Sequence, residues 1–227
     1  MNTTTIPVSA TRRAPARRFF GVVTRPQSYR NLAYLLVGLP LGTLWFSLLV
    51  TVASVSVSML VVALLGIPLL VGTWFVVRAC ANVERGVASV LLDEQVDRAP
   101  MAAGVRGNLW VRLKGMSGDR ARWRELGFLM LRFPAGIATF TLAVVGLTVP
   151  IFVGYAPFYA RFVDESDDDA YGNWFWSTEL HDFAGTNPWS WALVPVGIVL
   201  LFAAFHALNA VARGCGRWTV GWLGGAR

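Results

Sequence analysis

The feature that most constrains this chain is a long segment between Arg30 and Arg78 that contains no Asp, Glu, Lys, Arg or His. One membrane span needs about 20 apolar residues, so this segment is long enough for two. In the whole chain only 15% of residues are charged and 55% are hydrophobic, against about 25% charged in a typical soluble domain. These properties exclude a disordered chain, a disulfide scaffold and an ordinary soluble enzyme. They predict a small polytopic membrane protein.

The hydropathy pattern predicts an all-α fold with four transmembrane helices. We place the spans at about residues 32–52, 59–78, 126–149 and 189–211, with a first turn at 51–56. Loop 79–125 begins with a predicted extension of the second helix over 81–92, and its residues 109–116 are typical of an interfacial segment. Loop 150–188 joins the last two spans. The domain prediction is a disordered basic tail (1–28), a membrane domain (29–213) and a short tail (214–227).

Charged residues are distributed unevenly among these segments. Loop 150–188 carries Arg161 and seven acidic residues, whereas the remaining segments together carry 19 basic and six acidic residues. Because Lys and Arg accumulate in cytoplasmic loops, both termini and loop 79–125 are predicted to be cytoplasmic, in a plasma membrane. The basic surplus is thus a topology signal, which brings contact with anionic lipid headgroups. It does not require nucleic-acid binding.

An internal repeat relates the first and third spans. Residues 29–42 (YRNLAYLLVGLPLG) align with residues 123–136 (WRELGFLMLRFPAG). The chain is therefore predicted to form two helical hairpins of the same orientation. In each copy we expect an interfacial arginine anchor, a proline kink and a glycine for close packing. These residues are Arg30, Pro40 and Gly42 in the first copy and Arg124, Pro134 and Gly136 in the second.

Catalytic and metal-binding signatures are absent from the sequence. His181 and His206 are predicted to lie on opposite sides of the membrane, and Cys80 and Cys215 have no metal-ligand spacing. The two thiols are interpreted as unpaired in a reducing compartment. We therefore predict neither a cofactor nor enzymatic activity.

Arg132 is a charge within a predicted span, which makes it a functional candidate. It lies about two turns from the start of its helix, roughly 10 Å. Three interpretations follow from this position. The side chain snorkels to the interface, forms a structural ion pair or carbonyl contact, or takes part in signalling.

The predicted outer loop holds the greatest variety of polar residues. Its acidic run at 164–169 is either a solvated tract or a cation site with oxygen ligands. Its aromatic half is either a belt at the outer leaflet or a ligand-facing pocket. The candidate residues of that pocket are Trp174, Trp176, Glu179, His181 and Asp182.

The repeated block, the Gly66-Ile67-Pro68 segment and the Glu84-Arg85 pair together resemble the "putative sensor" domain family. The resemblance covers about residues 25–215, and its motifs are packing and interface residues, among them Pro68, Glu84 and Arg85. This family is a four-span module that often precedes a DesK-like histidine kinase. The resemblance implies a membrane-embedded input module. Since 14 residues follow Arg213, no kinase domain is expected here, and output is expected through a partner.

The leading hypothesis is a non-enzymatic membrane sensor that detects an extracytoplasmic or membrane stimulus. Its expected partners are the lipid bilayer and a cytoplasmic or membrane signalling protein, either a histidine kinase or a transcription regulator. The alternative is a small transporter or channel component, because some transporters are built on parallel repeats. The sequence leaves open whether the chain forms a homodimer.

Overall fold

The computed structural model describes residues 21–23, 25–61, 63–93, 108–162 and 183–224, and in these ranges it contains helices and no strands. In chain order the helices are α1 (Pro26–Ser58), α2 (Ala63–Leu92), α3 (Leu109–Ser117), α4 (Arg120–Phe162) and α5 (Leu193–Leu223). Short 3₁₀ turns at Met59–Val61 and Pro188–Ala192 lie beside α1 and α5. All of these helices except α3 are long, and residues 183–186 form a further short helical turn.

The four long helices are each long and apolar enough to cross a membrane. Only 17–39% of the most apolar window of each helix is buried inside the bundle. Large apolar side chains such as Leu142, Ile151 and Val199 therefore remain about half exposed. A surface of this kind is stable when hydrocarbon replaces water as the solvent. The predicted all-α, four-helix membrane fold is confirmed.

The first turn lies later in the chain than the sequence predicted. Residues 51–56 continue α1, and the 3₁₀ turn Met59–Val61 follows the helix instead. Small polar residues did not stop the helix because they hydrogen-bond within it: the Ser56 hydroxyl donates to the Val52 carbonyl at 2.7 Å. The turn sits where Gly66 leaves room, since a Cβ atom at Gly66 would lie 2.7 Å from the Cα atom of Leu60.

Two further helices also run beyond the predicted spans. Helix α4 continues to Phe162 through Pro150 and Pro157, so the first part of the predicted outer loop is helical. Helix α5 continues to Leu223 through residues that were predicted to be a tail. Tertiary packing explains this extension, because Leu223 is buried. The predicted extension of the second helix over 81–92 is present in α2.

Helix α4 packs against both α1 and α5, and α1 also packs against α2. The closest approach of α1 and α4 depends on two glycines. A Cβ atom at Gly42 would lie 2.8 Å from the Arg132 carbonyl oxygen, and one at Gly136 would overlap the Gly38 carbonyl. The contacts are reciprocal, because the sequence alignment pairs Gly42 with Gly136 and Gly38 with Arg132. A pseudo-two-fold axis would produce this exchange, although the repeat itself stays a prediction.

We expect Gly42→Ala and Gly136→Ala to lower the free energy of unfolding by about 1–3 kcal/mol, because the added methyl group overlaps backbone atoms that cannot move independently. The matched control is Gly72→Ala in α2, where a Cβ atom meets nothing within 4 Å. Unfolding of the purified protein in detergent micelles measures the difference. Equal stability of Gly42→Ala and Gly72→Ala would show that the helices do not cross at these glycines.

Candidate functional site

A buried carboxylate on α2 contacts two other helices. Glu84 is 0% exposed. Its Oε1 atom accepts a hydrogen bond from Trp45 Nε1 of α1 at 2.9 Å. Arg132 Nε of α4 lies 3.2 Å from Glu84 Oε2 and 3.3 Å from Oε1. The charge of Arg132 is therefore neutralised inside the bundle. Of the three interpretations of Arg132, this geometry agrees with the structural ion pair.

The Arg132 side chain extends this contact to the fourth long helix. Its guanidinium carbon lies 4.8 Å from the centre of the Tyr34 ring, a cation–π geometry. The Tyr34 hydroxyl lies 3.3 Å from Thr219 Oγ1 of α5. Gly38 lies beside the guanidinium, since a Cβ atom there would be in ordinary van der Waals contact with Arg132 Nη1, at 3.6 Å. We call Glu84, Arg132, Trp45, Tyr34 and Thr219 the Glu84 cluster.

A second buried carboxylate, Glu125 of α4, joins the same pair of helices. Its Oε1 atom lies 2.5 Å from Arg78 Nη1 and 2.6 Å from Arg85 Nη2, both on α2. Arg85 also donates to the Leu223 carbonyl at the end of α5 and to Asn82 Oδ1. We call Glu125, Arg78 and Arg85 the Glu125 cluster. Glu125 and Arg132 are seven residues apart, so both clusters face α2 from one side of α4.

The clusters differ in energetic meaning from surface ion pairs. Moving two charges out of water costs several kcal/mol per ion, and the pair recovers this only with good geometry and additional hydrogen bonds. Losing one partner leaves an uncompensated buried charge. Such pairs therefore mainly disfavour alternative positions of the helices. In those positions Glu84 and Arg132 would be separated, and each charge would be buried alone.

The two repeat arginines bind backbone carbonyls of the protein. Arg30 of α1 donates to the carbonyl of Val90, near the end of α2. Arg124 Nη2 of α4 donates to the Gly221 carbonyl, near the end of α5, at 2.6 Å. Carbonyls in the last turn of a helix have no partner within the helix. Each arginine thus ties the start of one helix to the end of another.

A family model described as "Putative sensor" matches residues 34–223. The match spans most of the chain and includes both charged clusters.

The chain belongs to the "Putative sensor" family.

The resemblance inferred from the sequence is thereby confirmed. No curated protein matches this sensor-family chain, and no solved structure matches it. Family membership supports a sensor domain and does not by itself identify a stimulus or a partner.

Other predicted site residues of this sensor domain lie at its surface or outside the described residues. Pro40, Pro68 and Pro134 lie inside helices on exposed faces. The outer-loop candidates and the acidic run at 164–169 fall outside the described residues; those candidates are Trp174, Trp176, Glu179, His181 and Asp182. Within the described ranges, no group of three His, Cys, Asp or Glu side chains could hold a metal ion.

Sequence reasoning named Arg132, Glu84 and Arg85 but did not pair them, and it missed Glu125, Arg78, Trp45, Tyr34 and Thr219 as members of the site. One signal could have found Glu125. It lies seven residues before Arg132. The segment that follows Glu125 is strongly apolar apart from Arg132. Charges at this spacing share one helix face, and a buried face requires opposite charges from a neighbouring helix.

We expect Glu84→Gln and Arg132→Met each to lower the free energy of unfolding by about 3–5 kcal/mol, because each leaves the opposite charge buried without its partner. The double variant should be more stable than either single variant, since it removes both charges. Arg213→Gln, at an exposed arginine of α5, is the control and should change little. Unfolding in detergent micelles measures all four proteins. Additive losses in the double variant would contradict a direct pair.

Proposed function

We propose that this chain is a non-enzymatic membrane sensor that passes a stimulus from the outer loop or the bundle core to a cytoplasmic partner. Membership of the sensor family supports the sensor role. The observation that carries the proposal is the Glu84 cluster, which joins all four long helices through one buried ion pair. Both termini and residues 80–125 are proposed to be cytoplasmic, on the basis of the charge distribution.

The physical argument concerns how the bundle can change shape. A conformational signal needs two states that a ligand stabilises differently. Closely packed helices joined by directional hydrogen bonds shift between discrete arrangements more readily than they deform continuously. A movement of α4 relative to α2 changes the Glu84–Arg132 contact and the Glu125 cluster together, because both join these two helices. A stimulus at one end of α4 is thus coupled to the other end.

The proposed output surface lies at the end of the bundle where α2 ends and α4 begins. Helix α3 buries Met116 against the core but leaves Trp110 60% and Val111 52% exposed. Val90 at the end of α2 is 63% exposed. Exposed apolar residues beside basic ones suit contact with another protein. A histidine kinase or a transcription regulator is the proposed partner.

In-cell crosslinking tests the output surface. A photoreactive residue at Trp110 should capture a histidine kinase or transcription regulator from native membranes. The same residue at Leu142, half exposed in the middle of α4, is the control and should not capture it. Recovery of a permease subunit or an ATPase from position 110, together with protein-dependent flux in proteoliposomes, would overturn the sensor proposal in favour of transport.

Deletion of residues 163–182 tests where the stimulus acts. We expect the deletion to abolish the transcriptional response of the genes that the partner controls, while the protein still inserts in the membrane. Membrane fractionation and immunoblotting verify insertion, and transcript measurement gives the response. A normal response from the shortened protein would mean that the outer loop is not the input and that the bundle core detects the stimulus.

A further inference from the structure

The buried charges beside the Glu125 cluster do not balance. Arg78, Arg85 and Arg122 are 7%, 3% and 1% exposed, whereas Glu125 is the buried acid next to them. Arg78 and Arg85 both bind the same oxygen atom of Glu125. Asp119 adds a further negative charge, but its side chain is 37% exposed. The described residues thus enclose more guanidinium than carboxylate charge at this place.

Arg122 is the most weakly paired of these three cations. Its Nε, Nη1 and Nη2 atoms are all buried, and none forms a hydrogen bond with another described residue. Its ion-pair contact is Asp119 Oδ2 at 3.5 Å. A guanidinium group carries five N–H donors in a planar fork that fits carboxylate and phosphate oxygens. Burying it without acceptors is costly, so the environment of Arg122 favours an anionic ligand.

An apolar groove lies along the parts of α2 and α4 that adjoin these arginines in sequence, and its lining contains no arginine. It has a volume of about 280 Å³, is open on one side, and is lined by residues of α1, α2 and α4 that include Ala53, Trp74, Val77, Leu126 and Met130. The groove opens where the bundle surface suits hydrocarbon. An acyl chain is therefore a fitting occupant.

The helix register places two residues of the groove lining on the same face of α4 as Arg122. Leu126 and Met130 follow Arg122 by four and eight residues, so they lie on the same face of α4. Val77, on the groove wall, immediately precedes Arg78 in α2. The rings of Trp74 and Trp123 contact edge-to-face at 5.2 Å between the two regions. Trp side chains are typical of the boundary between hydrocarbon and headgroups.

We propose that the groove and the adjacent arginines form a binding site for an anionic phospholipid. One acyl chain occupies the groove, and the surplus positive charge of Arg122 and Arg78 attracts the phosphate group to its end. A direct hydrogen bond from Arg122 requires the side chains that enclose it to move aside on binding. A net negative headgroup is favoured over a zwitterionic one because the surplus charge at the site is positive. The site is a property of the four-helix bundle and does not depend on the proposed signalling role.

Native mass spectrometry of the full chain in detergent tests the site with two probes, dioleoyl phosphatidylglycerol and dioleoyl phosphatidylcholine. We expect the anionic lipid to bind about thirtyfold more tightly, the order that two guanidinium groups provide. Arg122→Gln should reduce this preference to about fivefold. Arg120→Gln is the matched control, because Arg120 is exposed in the same turn of α4, and it should leave the preference unchanged.

If Arg122→Gln does not fold, a variant in which the groove is filled still tests the proposal. Ala53→Phe fills the groove and should weaken binding of phosphatidylglycerol at least about fivefold, whereas Ala138→Phe on an exposed face of α4 should not. Arg122→Lys retains the charge and should retain part of the preference. Equal affinity of the wild-type protein for both lipids would overturn the proposal. So would an equal loss of preference in Arg120→Gln, which would indicate a general surface-charge effect.

Discussion

The ion pair between Glu84 and Arg132 is the interaction on which the arrangement of the helices depends. In a bundle surrounded by hydrocarbon, water is not available to solvate a displaced charge, so each charge must find its counter-charge inside the protein. This requirement brings α2 against α4. The guanidinium also lies against an aromatic face on α1, the ring of Tyr34. The close approach of α1 and α4 at Gly42 and Gly136 is part of the same geometry.

The two charged clusters differ in their partners and in their position along α4. The Glu84 cluster involves aromatic and hydroxyl groups from α1 and α5, and it holds all four long helices at one level. The Glu125 cluster lies closer to the start of α4 and reaches the last carbonyl of α5 through Arg85. Both clusters join α2 to α4, and Arg85 adds a contact to the end of α5. A sensor needs a connection of this kind, because a stimulus must alter contacts at a distant surface.

The surplus of buried positive charge is the basis of the proposed site for an anionic lipid. Arg122 contributes a charge that the described acids do not match closely, and the neighbouring groove offers apolar surface of the kind that acyl chains cover. The lipid would then complete the charge balance next to the Glu125 cluster. Under the lipid proposal, a change in lipid composition alters the charge balance beside the ion pairs that join α2 to α4.

The sequence by itself determined the fold class, the number of long apolar helices and the family, because hydropathy and repeated motifs are local properties of the chain. It also identified Arg132, Glu84 and Arg85 as candidates. Tertiary structure decided where the helices end: α5 continues to Leu223 because Thr219 and Leu223 pack into the core. It also decided the partners of the charges, since Arg132 and Glu84 lie 48 residues apart. Their pairing depends on which helix faces meet, and in a membrane this choice follows from close packing at small residues and from the cost of burying a charge alone.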